Sequence, residues 1–184
     1  MSTRNGVLLV LALAAPVAAH AASYGLGRAA TESEIAGWNI DVAPDGTGLP
    51  PGSGSVAQGK QLYESVCAAC HGMKGEGKPA DRLVGGKDTL KTGKPVRTVG
   101  SFWPYATTLY DYIRRAMPYT APQSLSADQV YAVSAYLLHL NGIVPEGTML
   151  DAQSLAKVRM PNRDGFVGDP RPDVVNVPCR SECK

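Results

Sequence analysis

Cys67-Ala68-Ala69-Cys70-His71 places two thiols and an imidazole next to one another. That spacing is the pattern of covalent c-type haem attachment, in which the thiols add across two vinyl groups and the adjacent histidine binds the iron from the proximal side. Other chemistries of a C-x-x-C fit less of the chain. A thioredoxin-like redox pair needs a βαβ context, and no strand pattern accompanies this one. A four-cysteine zinc site would recruit Cys179 and Cys183, whose thiolates are suitable ligands, but it leaves His71 without a role.

Haem attachment raises the question of a second axial ligand. A thioether opposite imidazole raises the reduction potential and, by filling both axial positions, favours electron transfer over oxygen or peroxide chemistry. Met117 is the expected ligand, set in a loop between two helices. Met73 stands too close to His71 to reach the opposite face. Met160 also precedes a proline, in the tail beyond the last long helix, and stays open as an alternative. His139 falls inside a helix and is expected in a surface or hydrogen-bonded role.

The elements that must position these groups are helical. Ser55 with Gln58 forms a capping box, and Leu62, Tyr63, Val66 and Ala69 continue a helical period, so one helix is predicted over 56–70. Gly59 inside it costs about 1 kcal/mol relative to alanine, which a close helix crossing would explain. Residues 72–100 read as a long loop, of the kind that wraps a functional group. Eight Lys or Arg stand against four Asp or Glu over 56–100, a rim able to steer an acidic partner. A second helix is predicted from Thr107 or Thr108 to Ala116, with Leu109, Tyr112 and Ile113 as its apolar face. The residue before Pro118 is pushed out of the α region, which ends it at Met117. Ser126 with Gln129 opens a third helix through Leu140, carrying Val130, Val133 and Leu137, and Asn141-Gly142 stops it.

The ends of the chain differ from this body. Arg4, the apolar run 6–19 and Ala19-His20-Ala21 read as a secretory signal cleaved after Ala21. The run is shorter than the roughly 20 apolar residues of a spanning helix, and no later segment is long enough. The mature chain is therefore expected in the periplasm, without a membrane span. Thr31 and Glu34 form a further capping box. Fourteen prolines and twenty glycines concentrate at 44–54 and 161–178, which predicts extended arms, the first of them readable as a linker. Trp38 and Ile40 imply packing of that arm on the domain or on a partner. A formal net charge of +2 gives no warrant for nucleic-acid binding. Cys179 and Cys183 are close enough in sequence to form a local disulfide, the favoured pairing in an oxidising compartment; an intermolecular bridge or a reactive thiol is the alternative.

Gly59, Tyr63, the Cys67–Gly72 motif, Met117-Pro118 and Tyr136-Leu137 together resemble a class I cytochrome c domain. The flanks sharpen the likeness. Trp38-Asn-Ile-Asp-Val, the Pro44–Gly59 stretch, Val99-Gly-Ser-Phe-Trp-Pro-Tyr-Ala, Asp111-Tyr-Ile-Arg-Arg-Ala-Met-Pro and Lys157-Val-Arg-Met-Pro-Asn-Arg are similar to the SoxD haem subunit of sulfur dehydrogenase and to sulfite dehydrogenase cytochromes. The resemblance implies an all-α, cytochrome c-like single haem domain with extended N- and C-terminal arms, and a crossing of first and last helices that pairs Tyr63 with Tyr136. The expected organisation is a signal peptide over 1–21, an N-terminal arm over 22–55, the haem domain over 56–142 and a C-terminal extension over 143–184. It further implies one covalent haem c, a molybdenum-cofactor dehydrogenase as electron donor and another cytochrome as acceptor. On this likeness Trp103 or Tyr105 satisfies the haem propionates, with Arg114 or Arg115 a lesser candidate, since buried carboxylates need donors. The chain is then an electron-transfer subunit rather than a catalyst by itself. The rival is a haem enzyme, a peroxidase or thiol-oxidising cytochrome, with an exchangeable distal ligand.

Overall fold

A computed structural model describes residues 27–170; the signal-like segment, Cys179 and Cys183 lie outside the described residues. In chain order the elements are α1 (Glu32–Trp38), β1 (Ser53–Ser55), α2 (Val56–Leu62), a π-helical turn (Tyr63–Cys67), α3 (Ala68–His71), α4 (Ala106–Ala116), α5 (Ala127–Leu140), β2 (Met149–Asp151) and α6 (Ala152–Ala156). The fold is mostly helical, as expected. Its small exception is an antiparallel ribbon in which Ser53 faces Asp151, Gly54 Leu150 and Ser55 Met149.

Three helices start where local chemistry says they should. Thr31, Ser55 and Ser126 each accept a hydrogen bond from the N3 backbone, and Glu34, Gln58 and Gln129 each accept one from the cap N–H. Each box satisfies two backbone donors that a helix start otherwise leaves unpaired. Ser126→Ala should therefore lower stability by about 1 kcal/mol, read as a shift in the chemical-denaturation midpoint at unchanged slope.

The second long helix departs from expectation. It begins at Ala106 with Tyr105 as N-cap and no side-chain cap. Thr107 does not cap it; its hydroxyl donates to the carbonyl of Pro44 at 3.2 Å. Tyr105 is held instead by an isolated bridge to Arg159, so a long-range contact fixes this helix start. The buried face carries Leu109, Tyr110 and Ile113, whereas Tyr112 is 49% exposed. The end is as predicted: Met117 has extended backbone.

α5 is the spine of the core. Nine consecutive residues, Val130 to Leu138, are buried, because α2, α4 and the ribbon all pack on it. α2 crosses it at Gly59, where a β-carbon would collide with the carbonyl of Ala132 and lie 2.8 Å from Cβ of Tyr136. One turn later the rings of Tyr63 and Tyr136 pack with centroids 5.3 Å apart and planes tilted by 57°. The close crossing that Gly59 suggested is present, and a residue without a side chain is what permits it.

The stretch 44–54, readable as a linker, is bound to the body together with residues 41–43 before it. Its contacts fall on one stripe of α4 at four-residue spacing. Pro44 accepts from Thr107, Val42 N–H donates to Asp111 Oδ1 at 3.1 Å, and Asp41 Oδ1 accepts from Arg115 at 2.7 Å. Further on, Pro50 accepts from the hydroxyl of Tyr131 at 2.8 Å. Val42 and Leu49 add apolar packing against the core and Ile40 is partly buried, whereas Trp38 is 87% exposed.

Candidate haem site

The thiols and the imidazole sit where one helix changes its winding. The sequence predicted an uninterrupted helix to Cys70; the structure inserts a π turn over Tyr63–Cys67, closed by Ala68 N–H donating to Tyr63 C=O. The Ser65 hydroxyl donates to Leu62 C=O at 2.9 Å in the same stretch, a local bond that competes with regular winding. Such single-turn π segments recur at functional sites. This one re-aims Cys67 relative to α2.

The motif ends on a tightly accounted backbone. Gly72, at φ +82°, caps α3, and a β-carbon there would meet the Glu76 carboxylate. The loop then folds back so that the carbonyls of Cys70, His71 and Gly72 are satisfied. Ala80 N–H donates to Cys70 C=O at 2.9 Å and Gly77 N–H to His71 C=O at 2.8 Å. Gly72 C=O accepts from the Tyr63 hydroxyl at 2.8 Å. Helix-end carbonyls left without partners would be costly. The first part of the long loop is thereby a fixed cradle for the motif.

His71 Nδ1 lies 2.8 Å from the carbonyl oxygen of Asp81. A carbonyl can only accept, so Nδ1 carries the proton and the lone pair is on Nε2, the arrangement a metal-binding imidazole needs. Burial, reinforced by Cys70, pushes the Cys67 thiol up to about 11, so it stays protonated near neutral pH. Cys70 is exposed and Cys67 partly so. Val66 and Met73, flanking the motif, are 37% and 56% exposed. Two thiols at the attachment spacing and one imidazole with its Nε2 free are a donor set that fits covalent haem.

Met117 is partly buried, packs against the core and is tied to α4 by its N–H donating to Ile113 C=O at 3.0 Å. Met160 is 1% exposed within the core. His139 is hydrogen-bonded to Val144 C=O through Nδ1 at 3.2 Å. Trp103 and Tyr105 fall just before α4 in the chain. Trp103 meets Tyr112 edge-on at 5.6 Å between centroids, and Arg163 stacks on the Tyr105 ring at 4.1 Å. That tail contact, with Asn162 donating to Phe102 C=O at 2.7 Å, was not visible in the sequence, since nothing local couples 162–163 to 102–105. Arg115, weighed for the propionates, is committed elsewhere: it forks onto Asp111 through Nε at 3.1 Å and Nη2 at 2.7 Å and also reaches Asp41. Among the described residues no cluster of three or more His, Cys, Asp or Glu could hold a metal ion.

A helical domain with a closed C-x-x-C-H turn and an oriented imidazole is a covalent-haem domain. Comparison with known proteins agrees. Residues 56–141 match the family model described as Cytochrome c. The crystal structure of the sulfane dehydrogenase SoxCD from Paracoccus pantotrophus contains a chain that is 43% identical, covering 88% of this chain and 83% of that one with a TM-score of 0.78. A thiosulfate dehydrogenase of Stutzerimonas stutzeri (strain A1501) is 31% identical over 121 residues, which is 62% of this chain; the match spans only 36% of that relative's length. The chain belongs to the cytochrome c family, resembles SoxD, and its cofactor is covalent haem c. A haem electron-transfer role follows from that membership.

Proposed function

We propose that this chain is the periplasmic monohaem subunit of a sulfur-oxidising complex, taking electrons from a molybdenum-cofactor dehydrogenase that oxidises sulfite or a protein-bound sulfane and passing them to another cytochrome. The observation that carries this reading is the extent of the likeness to the SoxCD structure, which covers 88% of the chain and so runs beyond the matched haem domain at 56–141. No helix among the described residues is long and apolar enough to cross a membrane. The reading also takes 1–21 as the cleaved export signal, 22–55 and 143–184 as arms around the haem domain at 56–142, and Cys179 and Cys183 as a tail disulfide.

Within the site, Cys67 and Cys70 form the thioether links and His71 is the proximal ligand, held in one tautomer by the Asp81 carbonyl. Met117 is the distal ligand. Its side chain is only partly enclosed, whereas the thioether of Met160 is shut inside the core. Trp103 and Tyr105 donate to the propionates. When bound, haem supplies a one-electron couple; the protein's part is to set its potential, exclude water and present an edge to partners.

The test begins with expression in a host that matures c-type cytochromes. Wild-type chain should keep its haem through denaturing electrophoresis, and the Cys67→Ala/Cys70→Ala double variant should lose it. A colourless wild-type protein would overturn the haem assignment, and high-spin ferric iron that binds cyanide readily would favour a haem enzyme. Purification of the native complex followed by molybdenum analysis tests the partner; a stable complex without molybdenum would refute that part.

A further inference from the structure

The polar stripe along α4 ends two residues before Met117, and nothing in the haem chemistry described so far uses it. Thr107, Asp111 and Arg115 recur every fourth residue, so they share one face of the helix. The buried residues Leu109, Tyr110 and Ile113 fix the helix to the core. On the stripe, Pro44, Val42 and Asp41 are taken in reverse order, so the arm runs antiparallel to α4 and reaches its last turn with Asp41. There the Arg115 guanidinium is shared between Asp111 on its own helix and Asp41 on the arm, both at 2.7 Å. Met117 depends on the same turn, through its N–H bond to Ile113 C=O.

We propose that residues 41–44 are a positioning strap for Met117, acting through Asp111 and Arg115 on the last turn of α4. This rests on Met117 being the distal ligand. The last turn of a helix frays most easily, because its carbonyls lack intrahelical partners. Arg115 is anchored from outside the helix by Asp41, which opposes that fraying and keeps the backbone of Met117 in one place. None of these residues touches iron; they act through the position of the thioether. The contact is half-exposed, with Arg115 at 38% and Asp41 at 76% side-chain exposure, so its effect is modest and weakens with salt.

The experiment uses the haem-loaded full chain. Ferric wild-type, Asp41→Asn, Asp41→Glu and Arg115→Gln proteins are titrated with imidazole, which competes with the thioether for the distal position, and global unfolding is followed separately by guanidinium denaturation. Asp41→Asn should bind imidazole about two- to fivefold more tightly than wild type at low salt, the range an ion pair of this exposure allows. Arg115→Gln should do at least as much, and Asp41→Glu should fall nearer to wild type. Ser55→Ala, which removes a capping box at the start of α2 and costs about 1 kcal/mol of global stability, is the control and should leave the imidazole constant at its wild-type value. Wild-type affinity in both Asp41→Asn and Arg115→Gln, with the thioether–iron absorption band intact, overturns the strap alone. Equally tightened imidazole binding in Ser55→Ala also overturns it, since the effect would then follow from general destabilisation and not from the strap. Absence of the thioether–iron band from the wild-type protein removes both the ligand assignment and the strap.

Discussion

Replacing Met117 with alanine should abolish the weak far-red absorption band that a thioether–ferric iron bond gives, and should lower the reduction potential. The fall is expected on the order of 100–200 mV, a modest share of the roughly 0.8 V over which axial ligands tune haem iron. The direction follows from ligand chemistry: a soft thioether favours ferrous iron, so its loss stabilises the ferric state. The fold should survive, because Met117 caps α4 through its backbone and its side chain is only partly buried. Potentiometric titration with the visible spectrum recorded at each point checks both effects. A band that persists in Met117→Ala would show that another residue is the ligand. Met160→Ala is then the informative second variant: with its side chain 1% exposed, it should cost about 2–5 kcal/mol of stability and leave the band in place.

The other large effect is expected at Gly59. On helix propensity alone, Gly59→Ala should stabilise α2 by about 1 kcal/mol. The crossing reverses the sign. A β-carbon at this position runs into the backbone carbonyl of Ala132, and Cβ of Tyr136 lies 2.8 Å from it. A backbone carbonyl in the middle of α5 cannot swing aside as a side-chain tip can, so the helices must separate. Overpacking of this kind costs typically about 1–3 kcal/mol, and more where the backbone has to shift. Net destabilisation of about 2–4 kcal/mol is expected, measured by chemical denaturation of the haem-loaded protein. The variant should also loosen the Tyr63–Tyr136 pair, and with it the hydroxyl bond from Tyr63 to Gly72 at the end of the haem-binding turn. A stabilised Gly59→Ala protein would mean that the crossing is not as close as the structure has it.

Much of this architecture was readable because it is local. The capping boxes at Thr31, Ser55 and Ser126 each lie within four residues, and each opens a helix. The stop at Asn141-Gly142 is likewise local: Gly142 N–H donates to His139 C=O and Ile143 N–H to Leu138 C=O. The Cys67–His71 motif is local too. What could not be read depends on distant partners. The start of α4 is set by Tyr105 meeting Arg159, not by the threonines that follow it. Tyr110 and Tyr112 are both apolar enough for the buried face, and only the position of α5 decides for Tyr110, whose ring lies 4.5 Å from that of Tyr131. The arm looked like a linker because its glycines and prolines give no period, while the groups that bind it, Asp111 and Arg115, sit about 70 residues away. The ribbon strands are three residues each, too short to show alternation. The oriented imidazole needed the fold of 72–84, since nothing about Asp81 marks its carbonyl as the acceptor for His71.

That short ribbon also sets an order of events in folding. Ser53–Ser55 and Met149–Asp151 bracket the haem domain, so pairing them closes a loop of roughly 100 residues, at an entropic cost near 4 kcal/mol before the constant term. Three paired residues cannot offset that by themselves. The ribbon should therefore zip only after α2 and α5 have crossed, and its amide protons should gain protection late in refolding. Once formed, it brings the beginning and the end of the haem domain together.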